Sequence, residues 1–578
     1  MITLRKGLLS VVLCLLLLLI AAGAAMAQKP TRVMIVVMDQ MRPEYALQYK
    51  MTNVLWLQKH GINYKKAYVG DMASETVVSH NVMVSGLFPK HMGWSDEAIR
   101  DVDNVLGYGA GAIVTVGDLG TADYVKLITA AGNYPKLGDY LRTAFPGTIV
   151  ANVGQKGYQV ESMAAESSDY WVRMGSKKNT ADLTAPFTPS SVPWSGTYRG
   201  VGGNPPDYIK NDPRYLVSVG NDLSPAKPND YYGTKVDKPA WLYPEDGRYV
   251  PSPYTDPSAY HESGDAWVAD AAMEIMENEN WSGLFVTLSA MDKIGHMWGG
   301  GSVDDLKHYT WDPSSMFNWV HMPFAAQNAD NQLGRIIAKL KDLGQFDETL
   351  IVLTADHGAQ ASTNGFYGTD VYDGGNAGGW YAGEWWPSYS TAPTPPPKPI
   401  NTNPGPMALE PLMATGNVDF SYQSVAIETW LEDYSWCKKV AAAKVMATLP
   451  GVIATYVKSR DGDSYVLRSH KKRGQMTRAE WPWWRVHAQE LVDTMAWEGS
   501  ADVVGLLKNR VSYGVYGDHG GAQRQVQRIP MTFYMPGIWH AKRTAGFRLV
   551  DIMPTVLHTM GIEPTAPMDG KAYKLSMK

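Results

Sequence analysis

The chain has 578 residues, is 45% hydrophobic and 19% charged, and carries a formal net charge of -5. That length suits a large core and more than one structural unit. Both signs of charge are spread along it, which leaves no basic stripe for nucleic acid, and no stretch beyond residue 27 is long and apolar enough to cross a bilayer.

Arg5 and Lys6 precede an apolar run from Leu8 to Ala22, and Ala25-Met26-Ala27 follows. A basic start, an apolar centre and an A-x-A site predict a secretory signal peptide over residues 1–27, with a retained anchor as the alternative. The expected location is periplasmic or secreted. Cys14 lies in that segment, so Cys437 is left as a single thiol and an internal disulfide in the mature chain is excluded.

Arg32 to Met38, R-V-M-I-V-V-M, predicts a strand buried on both faces and ending in Asp39. A carboxylate in that position serves either as a helix cap or as a metal ligand. In Ala73 to Gly93, the residues Val77, Val78, Val82, Met83 and Val84 predict a helix that Gly86 stops, with Pro89 beyond it. Thr76 falls in its first turn, where free backbone N–H groups and the positive end of the helix dipole favour a phosphate. A plain capping threonine is the other reading, because a hydroxyl needs a base or a metal to become a nucleophile.

Thr148 to Gly154 predicts another strand and leads to Lys156, which is either a surface lysine or a contact for a substrate phosphate. From Ala164 to Gly264 the chain is rich in Pro, Gly, Ser, Asp and Tyr, a composition of long connections or a substrate-facing insertion. A helix over Asp265 to Asn278 and a buried strand over Gly283 to Ser289 come next. They lead to Asp292 and His296, which on a helical turn share a face and can grip one ion, although such a pair is common by chance. After an amphipathic helix over Ala325 to Leu343, the apolar run Leu350 to Leu353 opens into Asp356-His357-Gly358. That tripeptide is either a turn with a capping Asp, where Gly358 lets the chain turn away, or two metal-capable groups at a sheet's carboxyl edge, where open α/β sheets bind ligands.

Thr363 to Pro406 is dense in Gly, Trp, Tyr and Pro, with Pro395, Pro396 and Pro397 consecutive, and predicts an extended loop or lid. Val418 to Asn509 has helical and strand-like patterns of its own and predicts a cap, with Trp481, Trp483 and Trp484 as interface packing. The core resumes near Val511. His519 among Gly517, Gly520 and Gly521 is a loop residue or a ligand, and a strand over Ile529 to Tyr534 and a closing helix from Leu549 complete the chain.

Taken in order, Asp39 closing a strand, Thr76 ten residues before Gly86, Asp292-x-x-x-His296, Asp356-His357-Gly358 and His519-Gly520 resemble the alkaline phosphatase superfamily, most nearly its nucleotide pyrophosphatase/phosphodiesterase-like branch. The resemblance covers roughly Thr31 to Met174, Asp265 to Gln360 and Tyr513 to Leu575. It implies an α/β fold with a mostly parallel central sheet sandwiched by helices and an inserted cap: a core of residues 28–361 and 510–578, and a loop and cap region over 362–509. It implies two zinc ions per chain, one held by Asp292, His296 and His519, the other by Asp39, Asp356 and His357 with Thr76 at its open position. Two such ions about 4 Å apart can clamp the attacking and leaving oxygens of a displacement at phosphorus.

Two departures bear on the substrate. Where phosphodiesterases of this kind usually carry an Asn after the nucleophile helix, this chain has Trp94-Ser95-Asp96-Glu97, and an acid there repels a phosphate unless it binds a cation or turns away. Threonine-dependent monoesterases of the superfamily carry Lys-x-Arg, and here Lys156 is followed by Tyr158. The sulfatase signature, Cys or Ser followed by x-Pro-x-Arg, is absent. The expected function is therefore an exported two-metal hydrolase of small phosphate esters, diesters before monoesters, through a phosphothreonine at Thr76 with Lys156 binding substrate. The alternatives are a phosphomonoesterase or phosphonate hydrolase and, from another class, a non-catalytic binding protein of the same fold.

Overall fold

The computed structural model describes residues 29–174, 198–199, 201–212, 217–218, 264–292, 295, 317–360, 409, 411–471, 478, 480–513 and 517–576. The signal segment, His296 and the Pro-rich stretch around Pro395 lie outside the described residues, as does most of the span between Met174 and Gly264. In chain order the first strands of the principal sheet are β1 (Arg32–Met38), β2 (Ile62–Tyr64), β3 (Ile149–Gly154), β4 (Tyr170–Met174), β5 (Val201–Asn204), β6 (Trp281–Leu288) and β7 (Thr349–Thr354). The next five, β8 (Val418–Gln423), β9 (Ala426–Leu431), β10 (Val452–Lys458), β11 (Tyr465–His470) and β12 (Val503–Leu507), form a separate antiparallel sheet. Then β13 (Met531–Tyr534) and β14 (Ala541–Arg543) return to the first sheet.

The order across the principal sheet is β14-β2-β13-β7-β1-β6-β3-β4-β5. Its five middle strands, β7 to β4, are mutually parallel, and β13 and β5 flank them antiparallel. This is the mostly parallel α/β sheet expected. β1 lies at the centre with both neighbours parallel, Val36 facing Val286 on one side and Leu353 on the other, and every residue from Val33 to Met38 is fully buried. A strand covered on both faces has no solvent side to mark with polar residues, which is why its sequence is a continuous apolar run.

Several short strands were not foreseen, β2, β4, β5 and β14 of this sheet among them. β4 and β5 extend the sheet through a stretch whose composition reads as connection, because the five residues of β4 and the glycine-rich V-G-G-N of the edge strand β5 carry too little periodicity to register. The helix expected from Ala325 also begins earlier, at Phe317, and runs through Pro323 to Asp342. Among the described residues, no helix is long and apolar enough to cross a membrane.

Helix α1 (Thr76–Ser85) is buried over all ten residues, so it has no polar stripe and could be recognised only by its valines and by Gly86, which ends it in the left-handed region at φ 66°. Helix α2 (Gly157–Ala164) packs beside it, after β3. Gly358 is not a turn residue, as the sequence had implied. Its N–H donates to the Val526 carbonyl at 2.6 Å, and a Cβ there would stand 2.2 Å from the Gln525 carbonyl oxygen and 3.0 Å from that of Arg528. The glycine lets the segment bearing His357 lie against residues 525–528. Gly358→Ala is therefore expected to cost about 1–3 kcal/mol, as overpacking against fixed backbone does, and to lower the Tm in a thermal melt; a Tm equal to wild type would contradict the close approach.

Candidate metal centre and nucleophile

The carboxyl ends of four parallel strands deliver the expected residues to one place. Asp39 follows β1, Lys156 follows β3, Asp292 lies just beyond β6, and Asp356 and His357 lie beyond β7. His519 arrives from the segment before β13. Asp39, Asp292, Asp356 and His357 are fully buried, Thr76 is 2% exposed and His519 6%. The ligand atoms of Asp39, Asp356 and His357 lie within 4.8 Å of one another, and so do those of Asp292, His357 and His519. Both groups thus meet at His357, whose ring also stacks on that of His519 at 3.7 Å.

Each side chain is held by a specific contact. His357 Nδ1 donates to the Gly358 carbonyl at 3.0 Å, which leaves Nε2 as the free lone pair, 3.5 Å from Asp39 Oδ1, 3.5 Å from Asp356 Oδ2 and 3.2 Å from Thr76 Oγ1. Burial pushes the His357 imidazole down to about 3, so that nitrogen stays unprotonated at neutral pH. Lys156 is not a surface residue. Its ammonium is 1% exposed and bridges Asp39 Oδ2 at 2.7 Å and Asp292 Oδ2 at 2.5 Å, one acid from each group. Burial works against that charge, but Asp292 and Asp39 outweigh it and hold the lysine protonated. Asp39 is raised, first by burial and then by Asp292 and Asp356, whereas Asp356 is held down against burial by His357 and His80.

Several residues that sequence reasoning passed over complete the surroundings. Glu75, the residue before Thr76, places Oε2 2.6 Å from His519 Nδ1. His80, one helical turn after Thr76, donates from Nδ1 to the Thr76 carbonyl at 2.8 Å and meets Thr287 Oγ1 at 2.9 Å through Nε2. Gln159 donates to Asp39 Oδ2 at 2.5 Å, and Gln40 donates to Asp292 Oδ1 at 3.1 Å. Position i+4 on a helix was a usable signal for His80; the others have none. The acids at 96 and 97 turn toward the second sheet. Asp96 is hydrogen-bonded to Glu428 on β9, and Glu97 Oε2 accepts from the Tyr422 hydroxyl at 3.1 Å. Burial pushes Asp96 up to about 6 and raises Glu428 further, so the pair keeps a proton.

A mostly parallel sheet that gathers carboxylates and imidazoles at its carboxyl edge, beside a threonine at a helix N-terminus, is an arrangement of the alkaline phosphatase-like fold. Solved structures of that fold cover nearly the whole chain. Wild-type alkaline phosphatase PafA is 15% identical with a TM-score of 0.55, covering 94% of this chain and 98% of that one. An inactive variant of murine ectonucleotide pyrophosphatase/phosphodiesterase 5, in complex with AMP, is 11% identical with a TM-score of 0.50, covering 93% and 97%. No curated protein matches by sequence. The family model for type I phosphodiesterase/nucleotide pyrophosphatase matches residues 33–377, more than half of the chain, and the chain belongs to that family. Its class is accordingly that of the phosphoric ester hydrolases.

The Asp96–Glu428 pair has a consequence for stability. An acid whose folded pKa is raised keeps its proton in the folded state after the unfolded chain has released it, so stability falls as pH rises above the ordinary value, 4.5 for Glu428. The slope reaches about 1.4 kcal/mol per pH unit for one group. Glu428→Gln keeps a donor for Asp96 without a titrating proton. Its Tm should fall less than that of wild type between pH 5 and pH 8, and should exceed it at pH 8; parallel pH profiles would contradict the shared proton.

Proposed function

We propose that this chain is an exported two-metal hydrolase of small phosphate esters, favouring diesters over monoesters, that works through a phosphothreonine at Thr76. The observation that carries the reading is the place of Thr76. Its hydroxyl is buried at the first position of α1, 3.2 Å from His357 Nε2 and beside both carboxylate–imidazole groups. A metal pair fits these residues, because Asp39 Oδ1 and Asp356 Oδ2 are buried oxygens that accept no hydrogen bond, and carboxylate with imidazole is a donor set that zinc takes. Asp39, Asp356, His357 and Thr76 would hold one zinc and Asp292, His296 and His519 the other. Bound there, the pair supplies positive charge that eases loss of the Thr76 proton and offsets charge on the attacking and leaving oxygens.

The chain's own residues account for the rest. Thr76 Oγ1 attacks phosphorus as the bond to the leaving alcohol breaks, and water later opens the new P–O bond and restores the hydroxyl. The first turn of α1 offers free N–H groups to phosphoryl oxygens, and His80 fixes that turn by its bond to the Thr76 carbonyl. Lys156 offsets negative charge in a site that already holds three buried carboxylates. One observation favours the alternative reading: a buried ammonium between the two groups suits the dianion of a monoester better than the monoanion of a diester.

The zinc-loaded protein is expected to turn over bis-p-nitrophenyl phosphate faster than p-nitrophenyl phosphate. Thr76→Ala should lose at least about a thousandfold of that rate, as loss of a nucleophile does, and a chelator should abolish it until zinc is restored. Faster monoester turnover, with Lys156→Met costing the monoester more than the diester, would decide for the phosphomonoesterase. No turnover of either by a zinc-loaded protein would leave the non-catalytic reading.

A further inference from the structure

Gln40, next to Asp39, has φ 66°, a left-handed backbone that costs a residue with a Cβ about 1–2 kcal/mol. It is fully buried, and its side-chain oxygen accepts no hydrogen bond, a second cost of about 1–3 kcal/mol. Both features favour glycine here, against the hydrogen bonds that the side chain donates. Its backbone N–H donates to Asp356 Oδ1 at 3.2 Å, and its side-chain Nε2 donates to Asp292 Oδ1 at 3.1 Å and to the Gly517 carbonyl at 2.6 Å. One residue thus holds an acid from each group and the segment that carries His519. Room for the amide depends on Gly295, where a Cβ would stand 1.8 Å from Gln40 Oε1.

We infer that Gln40 is a positioning residue that sets the spacing of the two metal positions, by tying the Asp356 carboxylate to the Asp292 carboxylate through its own backbone and side chain. The inference rests on the two-metal reading above. The strained backbone orients the amide: from a left-handed residue directly after β1, the N–H faces the β7 acid while the side chain reaches the β6 acid. Neither contact touches a reacting atom, so Gln40 acts through the ligands it holds. Gln40→Gly keeps the backbone N–H bond to Asp356, relieves the strain and removes the tie to Asp292 and Gly517.

The test compares wild type, Gln40→Gly and Lys50→Gly, the last a control at an exposed residue with φ 54°. Denaturant melts of the metal-free proteins are read beside zinc stoichiometry and affinity in competition with a chromogenic chelator. In metal-free Gln40→Gly the relief of strain is set against the two lost bonds, so the protein is expected to stay folded, yet to bind one of its two zinc ions about 10–100-fold more weakly, the usual penalty for losing a group that orients a ligand. Lys50→Gly should gain stability from relief of the same kind of strain and leave zinc affinity alone. Two zinc ions bound by Gln40→Gly as tightly as by wild type would overturn the positioning role, as would a loss of metal-free stability with zinc affinity unchanged. A wild type that binds fewer than two ions would overturn the two-metal reading itself, and this inference with it.

Discussion

Three carboxylates, Asp39, Asp292 and Asp356, stand together in a place from which water is excluded, and most of the surrounding structure can be understood as what makes that tolerable. Isolated ions in such a medium would cost several kcal/mol each. Lys156 compensates two of them, the imidazoles of His80 and His357 lie beside the third, and Gln40 and Gln159 donate further hydrogen bonds. Even so, two carboxylate oxygens accept no hydrogen bond, and Asp39 is pushed toward its neutral form. A protein that needed only stability would have replaced these groups with apolar ones. Their retention is intelligible if cations complete the set, which is the physical content of the two-metal proposal.

The parallel sheet makes the gathering possible. Strands running side by side in one direction end at one edge, so residues far apart in sequence arrive within a few ångströms without long loops between them. The segment before α1's N-terminus is fixed by a second device: Ser74 accepts from Gly520 through its carbonyl at 3.2 Å and from Gly521 through its hydroxyl at 2.9 Å, so the turn that presents Thr76 is bound to the turn that presents His519. Gly520 is required there, since a Cβ would stand 1.8 Å from Glu75 Oε1. The second sheet closes the same flank with Ser424, Tyr422 and Glu428, so the acids at 96 and 97 face it rather than bare solvent.

Much of this was legible in the amino-acid order. β1, β3, β6 and β7 are each runs rich in β-branched or large apolar residues, and the acids that follow β1, β6 and β7 stand out because burial on both faces forbids polar residues until the strand emerges. The helix of Thr76 was readable from Gly86. What was not readable depends on partners distant in sequence. Lys156 looks like any lysine until the two acids it bridges are placed beside it. Gln40, Glu75 and Gln159 act through other residues, and a neutral amide or a lone acid carries no periodic mark. β4 and the edge strand β5 were missed because strands this short, at the margin of a sheet, carry little apolar patterning. The turn assigned to Gly358 was wrong for a related reason: glycine serves both bends and close contacts, and only the neighbouring backbone tells which.

The chain positions of the gathered residues also set an order of events during synthesis. Asp39, Thr76, Lys156, Asp292, Asp356 and His357 all emerge within the first 357 residues, but His519, and the turn that clasps Ser74, come later. At roughly 5–20 residues per second, His519 follows His357 by on the order of 8–30 s. During that interval the chain has every residue of one group, Asp39 with Asp356 and His357, and lacks His519 of the other. A chain in this condition has Thr76 in place but not the whole centre, so full assembly of the site waits for the segment that carries His519.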